Sequence, residues 1–119
     1  MTLAGALQEL HGSNELKMAA VVSADGLVIE SCSSPDVDAE SICSVASNGL
    51  LIMDAMAQEL DEGSAELITL EYGNHLLMLA PLDDENLLVL LAGAGMNLGR
   101  LRIILRRNVP LLTEALGSV

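Results

Sequence analysis

Three closely spaced apolar runs in the second half of the chain restrict the possible folds more than any other feature. They cover residues 66–72, 75–80 and 87–92, and the last two are apolar at nearly every position. Short runs of this kind predict strands, and strands without a polar side are covered on both faces of a sheet. Gly73-Asn74 supplies a two-residue hairpin turn between the first two runs. We therefore expect a central sheet between two layers of helices.

The first third of the chain predicts one helix and a second hairpin. Residues 2–11 carry leucine and alanine at helical spacing. Residues 17–23 and 26–32 are apolar and rich in β-branched side chains. The Asp-Gly pair between them supplies the positive φ that a tight turn needs. A helix followed by a β-hairpin is expected here.

Two further helices complete the predicted order of elements, α-β-β-α-β-β-β-α. The middle helix covers residues 37–61, with Asp36 or Asp38 as its cap. The last helix begins at Asn97, a good N-cap, and Pro110 should end or kink it. The apolar side chains that keep helical spacing along the middle helix, and are expected to face the core, are Ile42, Val45, Ala46, Gly49, Ile52, Met53, Met56 and Leu60.

A second stripe of the middle helix consists of small side chains. It is formed by Ala39, Cys43, Ala46, Leu50 and Ala57. Small side chains allow another helix to approach closely, so this stripe suggests a packing surface beside the core surface. Gly49 lies nearby and costs about 1 kcal/mol relative to alanine in a helix. Close packing at Gly49 would justify that cost.

Composition limits the classes of function. The chain of 119 residues supports one domain over residues 1–119, and 51% of it is apolar. Its net charge of −12 and single aromatic residue, Tyr72, argue against nucleic-acid binding and against an anionic membrane surface. The apolar runs are too short to span a bilayer, and the N-terminus lacks a secretion signal. We expect a cytoplasmic protein without membrane insertion, with Cys32 and Cys43 as free thiols.

The glycines between residues 93 and 99 resemble a phosphate-binding loop but fail its spacing test. Their pattern is G-x-G-x-x-x-G after the last strand. A dinucleotide site has G-x-G-x-x-G after the first strand of a βαβ unit, and a P-loop needs a lysine after its last glycine. We interpret these glycines as a tight turn from the final strand into the final helix, with no cofactor.

No other group of residues predicts catalysis or metal binding. His11 and His75 lie in or beside turns, without a nucleophile motif. Neither cysteine has a histidine at metal-ligand spacing. The acidic run 83–85 lacks the spacing of a calcium loop, and a solvated turn explains it. The chain is therefore expected to be non-enzymatic and free of cofactors and metals.

Basic residues are concentrated near the C-terminus, where Arg100, Arg102, Arg106 and Arg107 are four of the five in the chain. One interpretation is a solvated helix face that is basic by chance. The other is a docking patch for an acidic partner or for the acidic surface of the protein itself. The sequence leaves both open.

The chain resembles the Roadblock family, the dynein-light-chain-related domains that accompany small Ras-like GTPases in bacteria and archaea. Residues 21–29, with the Asp-Gly turn, are similar to the first hairpin of the family. Residues 38–41 and the alanine-, serine- and methionine-rich run after them resemble its long middle helix. Residues 97–102 resemble the N-L-G-x-x-R start of its last helix.

The resemblance implies an α+β fold of the Roadblock and profilin-like type. Its five-stranded antiparallel sheet has the middle helix on one face and the terminal helices on the other. It also implies a homodimer, in which the third strands pair and the two middle helices lie side by side. An unpaired strand edge and the small-residue stripe both agree with such a dimer. The interface residues predicted on this basis are Ala39, Cys43, Ala46, Leu50, Ala57, Leu67, Thr69 and Glu71.

The resemblance further implies a function, that of a non-catalytic regulator or adaptor of a small Ras-like GTPase. In the gliding-motility members, the paired middle helices contact the switch regions of the GTPase and accelerate hydrolysis without an arginine finger. The corresponding surface here would be Glu40, Ser44, Ser47, Asn48, Leu51, Asp54 and Gln58. Two alternatives remain open, a structural scaffold that links a larger complex and a sensor of a small ligand.

Overall fold

The structure is a computed structural model of the chain and describes residues 2–117. It contains one five-stranded sheet with two segments of α-helix on each face. The elements in chain order are α1 (Leu3–Ser13), β1 (Met18–Ser23), β2 (Val28–Ser33), α2 (Ala39–Ala46), α3 (Asn48–Leu60), β3 (Ile68–Glu71), β4 (His75–Pro81), β5 (Asn86–Gly93) and α4 (Leu98–Gly117).

The sheet is antiparallel throughout and has the order β2-β1-β5-β4-β3. β5 lies in the centre, between β1 and β4, and β3 forms one edge. The run predicted as the third strand at 66–72 shortens to four residues, Ile68–Glu71. Because the observed sheet has helices on both faces, the predicted α+β fold class is confirmed.

The first hairpin turns at Gly26, which has a φ of +87°. A side chain is strained in this conformation, so the Asp-Gly pair works as the sequence predicts. The Gly26 amide donates to the Ser23 carbonyl at 3.0 Å and closes the turn. A Cβ atom at Gly26 would lie 3.5 Å from Ser47 Oγ, so the hairpin tip lies against the middle of the helical layer.

Two apolar clusters lie on opposite faces of the sheet. One contains α1, α4 and the side chains of one face, with Leu7, Leu90 and Leu112 among its most buried members. The other contains α2, α3 and the opposite face, with Met18 and Val89 at its centre. Alternate residues of the strands enter different clusters, which explains why β4 and β5 are apolar on both sides.

Of the two caps that the sequence offers for the middle helix, the structure has Asp38, so the helix begins at Ala39 and not at residue 37; it is also divided at Ser47. Asp38 is the cap, because its Oδ1 accepts from the Ser41 amide at 3.1 Å and its Oδ2 accepts from the Ser41 hydroxyl at 2.7 Å. These bonds to Ser41 hold the pKa of the Asp38 carboxyl below its usual range. At the division, the Ser47 hydroxyl donates to Ser44 O at 2.7 Å and the Asn48 amide donates to Val45 O at 3.1 Å. Such side-chain bonds compete with the backbone ladder and separate α2 from α3.

Helix α4 is capped by Asn97, whose Oδ1 accepts from the Arg100 amide at 3.0 Å. The expectation that Pro110 could end this helix is wrong, because α4 continues through it to Gly117. Residues on both sides of the proline, Leu105 and Leu112 among them, are buried against the sheet. Burial of two such side chains is worth more than the roughly 3 kcal/mol that an interior proline costs. Within residues 2–117, no helix combines the length and the hydropathy that a membrane span requires.

Candidate interaction surfaces

The small-residue stripe of the middle helix faces the sheet of its own protomer. Cys43, Ala46 and Leu50 are only 0%, 7% and 6% exposed, and they belong to the cluster between the helices and the sheet. In the single chain these three side chains therefore have almost no surface to offer a partner, and their place in a dimer interface stays a prediction. Small side chains let a helix approach a neighbour closely, and the neighbour here is the sheet. Burial of Cys43 raises the pKa of its thiol to about 11.

The other residues predicted for the dimer interface divide into two groups. Ala39 and Ala57 are half-buried, and Ala39 packs against the same cluster as Cys43. Leu67 precedes β3 and packs against the cluster on the α1–α4 side. Thr69 and Glu71 lie in β3, half-buried and exposed respectively. The structure thus places only Thr69 and Glu71 on the edge strand itself.

A row of large apolar side chains is exposed on the outer surface of α2 and α3. We call it the apolar stripe; it consists of Val45, Ile52, Met56 and Leu60, which are 72%, 55%, 55% and 65% exposed. Their helical spacing predicts that these residues face the core, and the structure places them on the outside instead. Spacing alone does not show which of two apolar rows faces the sheet when a helix carries both. The available signal was the row of small side chains, which identifies the side of close approach.

The apolar stripe lies on the same side of the molecule as the open edge of the sheet. A groove of about 490 Å³ separates α3 from the segment that leads into β3. Ile52, Met56 and Leu60 line one wall of this groove, and residues 62–68 line the other. Strand β3 pairs only with β4, so its second edge is free within residues 2–117. An exposed apolar row beside an unpaired strand edge is typical of a surface that binds another protein.

The residues predicted to contact a GTPase form a second, mainly polar surface next to the stripe. We call the six exposed ones the polar face; they are Glu40, Ser44, Asn48, Leu51, Asp54 and Gln58. Leu51 is 73% exposed in their midst. Asn48 lies between the two surfaces, because it is three residues from Val45 and four from Ile52. No lysine or arginine occurs between Met18 and Gly99, so the polar face carries only acidic charge.

Ser47 does not belong to the polar face. It is only 7% exposed, and its hydroxyl bonds to Ser44 O within the helix. Its side chain also lies against the turn at Gly26. Ser47 therefore has little surface to offer a partner, and its predicted contact with a GTPase stays untested. At the division between α2 and α3 a serine is needed for local bonding, which periodicity does not reveal.

A thiol and an imidazole that are distant in sequence meet near the β2 edge of the sheet. Cys32 Sγ lies 3.4 Å from His11 Nδ1 across a separation of 21 residues. His11 Nε2 is buried and has no hydrogen-bond partner among residues 2–117. Both cysteines are free thiols, as the sequence predicts. Within residues 2–117, no three His, Cys, Asp or Glu side chains are grouped so as to hold a metal ion.

A family model that describes the Roadblock/LC7 domain matches residues 4–92 of the chain. The chain belongs to the Roadblock/LC7 domain family. The match runs from α1 to the end of β5, so the N-L-G-x-x-R segment of residues 97–102 lies beyond it.

This Roadblock domain is similar over most of its length to several other proteins and to solved structures. Two uncharacterized proteins of Methanocaldococcus jannaschii are each 37% identical over 103 residues, which covers 85% of this chain and 88% of theirs. MglB of Myxococcus xanthus has a TM-score of 0.88 at 19% identity and covers 98% of this chain and 96% of its own. An MglB with a tetrameric arrangement has a TM-score of 0.84 at 15% identity, over 95% of this chain and 86% of its own. At these identities the two structures show the fold.

Proposed function

We propose that the protein is a homodimeric, non-catalytic regulator or adaptor of a small Ras-like GTPase. The observation that carries the proposal is the apolar stripe, exposed on α2 and α3 and lying beside the free edge of β3. Membership of the Roadblock/LC7 family supports the same function, because the family resemblance implies such partners.

A two-fold axis beside β3 would give partners to both the free edge of β3 and the exposed apolar stripe. Two β3 strands pair through their free edges, so that the unpaired backbone groups of residues 68–71 gain partners. The same rotation brings the apolar stripes of the two copies together. Burying an exposed Ile or Leu side chain contributes about 1.5–3 kcal/mol, and the symmetry doubles every contact. The interface would then contain Thr69 and Glu71 together with Val45, Ile52, Met56 and Leu60.

The polar faces of the two copies would form one continuous platform across such a dimer. Each contributes an exposed leucine, Leu51, surrounded by polar and acidic groups. An apolar anchor within a polar rim is the usual composition of an interface that forms and dissociates. The platform carries no arginine, and those of α4 lie on the other side of the sheet. Any effect on GTP hydrolysis would therefore come from stabilising one conformation of the GTPase, and not from an arginine finger.

Binding measurements with the small Ras-like GTPases of the same genome would test this function. Each GTPase is loaded with GDP or with a non-hydrolysable GTP analogue and titrated with the purified protein in a calorimeter. We expect saturable binding that depends on the bound nucleotide. Leu51→Asp should weaken it at least tenfold, because a buried unpaired carboxylate replaces the central apolar contact.

Leu111→Asp is the matched control, since Leu111 is a 51% exposed leucine on α4. It should leave GTPase binding unchanged. Absence of binding in both nucleotide states, or equal binding by the Leu51→Asp variant, would refute the proposal. GTP turnover measured with the same samples separates the two forms of the function: a changed rate indicates a regulator, and binding without a changed rate indicates an adaptor or scaffold.

A further inference from the structure

Helix α4 carries a cluster of four arginines without an ion pair to any residue of the range 2–117. Arg100, Arg102, Arg106 and Arg107 are all exposed. No carboxylate within residues 2–117 forms an ion pair with any of them. This lack of pairing is unusual in a chain with 17 acidic residues and five basic ones. Were the arginines present only for solubility, acidic residues would serve a protein of this charge better.

An exposed isoleucine lies among the four arginines. Ile103 is 55% exposed. Since residues three or four apart are neighbours on a helix, Ile103 lies next to Arg100 on one side and next to Arg106 and Arg107 on the other. Arginines around an apolar side chain have the composition of an interaction hot spot. The cluster extends for about 10 Å along the helix, or two turns.

Carboxylates border this basic surface on both sides. A groove of about 660 Å³ on one side is lined by Arg106 together with Glu66, Asp83 and Asp84. On the other side, a groove of about 290 Å³ between α1 and α4 is lined by Arg107 and Glu9. The arginine cluster is therefore a strip of positive charge about as wide as one helix.

The carboxylates on both sides of the arginine cluster limit the width of an anionic partner that can bind it. A membrane surface or a nucleic-acid duplex is wider than the strip, so its negative charge would also approach the carboxylates at the margins and be repelled. An acidic helix is narrow enough to contact the arginines alone, and one apolar side chain of it would cover Ile103. Such a helix binds through side chains that recur at helical spacing along one of its faces.

We propose that the outer face of α4 around Ile103 is a docking site for an acidic amphipathic helix of a partner protein. The arginines bind carboxylates spaced along two turns, and Ile103 receives an apolar side chain between them. This surface and the polar face of α2–α3 lie on opposite sides of the sheet, so one protomer can bind two partners at once. The proposal does not depend on the identity of the partner at the polar face.

A designed peptide provides a direct test. The probe is a fluorescein-labelled, alanine-based helix of five turns with glutamate and leucine on one face, and its comparison peptide has glutamine in place of glutamate. Fluorescence anisotropy should show saturable binding of the first peptide that weakens as salt rises. Arg100→Gln, Arg102→Gln, Arg106→Gln and Arg107→Gln combined should weaken binding at least tenfold, and Ile103→Ser alone should weaken it several-fold.

Lys17→Gln is the control for loss of a positive charge, because Lys17 is the one basic residue outside the cluster. It should leave peptide binding unchanged, and circular dichroism should show the same helix content in all variants. The proposal is overturned if the glutamate peptide does not bind, if the glutamine peptide binds equally well, or if the arginine variant binds like the wild type. Preferential binding of phosphatidylserine vesicles or double-stranded DNA would also overturn it.

Discussion

At Gly49 the backbone of α3 approaches the sheet so closely that a side chain there would have to displace a leucine of β4. A Cβ atom there would lie 2.9 Å from Leu79 Cδ1 and 3.8 Å from Leu87 Cδ2. Both leucines are buried in the α2–α3 cluster, so a shift of either one disturbs the packing of its neighbours. The close packing expected from a glycine in mid-helix is thus present.

Gly49→Val should therefore destabilise the protein. Overpacking of a buried site costs about 1–3 kcal/mol, which exceeds the few tenths gained from the better helix propensity of valine. Gly12→Val in α1 is the matched control, because nothing lies within 4 Å of a Cβ atom at that glycine. Urea unfolding of both variants checks this: equal stability of the two would contradict the packing argument.

In α4, tertiary packing outweighs the tendency of proline to end a helix. Pro110 removes one backbone hydrogen bond, yet the helix continues for seven residues beyond it to Gly117. The Thr113 hydroxyl donates to Val109 O at 2.7 Å, and the Asn108 amide donates to Ile104 O at 2.7 Å, so side chains bond two carbonyls near the proline.

Pro110→Ala should stabilise α4 and with it the whole protein. Alanine restores the backbone donor and removes an interior proline, a gain of about 3 kcal/mol that the more flexible unfolded chain reduces by up to about 1 kcal/mol. We expect the midpoint of urea unfolding to rise by an amount equivalent to about 2 kcal/mol, with an unchanged slope. A lower midpoint would mean that the proline fits a bend on which the packing of α4 depends.

The sequence predicts the helices and strands better than it predicts which side of a helix is turned to the sheet. All five strands, the turn at Gly26 and the caps at Asp38 and Asn97 follow from local chemistry, which the sequence contains directly. The orientation of the middle helix does not, because both the small-residue row and the apolar stripe have helical spacing. Only the distance between α3 and the sheet decides between them, and that distance depends on residues far away in the chain.

For the whole molecule, the apolar stripe has a direct consequence in solution. Ile52→Glu combined with Met56→Glu should produce a monomer, because the two substitutions place four carboxylates in the interface proposed for the dimer. Light scattering should give twice the chain mass of 12.5 kDa for the wild type and 12.5 kDa for the variant.

Leu27→Glu is the control for this measurement, since Leu27 is 68% exposed at the tip of the first hairpin. It should remain dimeric. A monomeric wild-type protein would contradict the proposed dimer, and a variant with both glutamates that remains dimeric would show that the stripe is not the interface.

The division of the apolar side chains into two clusters has a consequence for how such a protein can diverge. Side chains on one face of the sheet do not share a cluster with those on the other. The stability effects of mutations in the two layers should therefore add. Natural selection can then alter the surface of α2–α3 while the surface of α4 keeps its shape, or the reverse. In a fold of this kind the chemistry of one face can therefore change while the opposite face keeps its own.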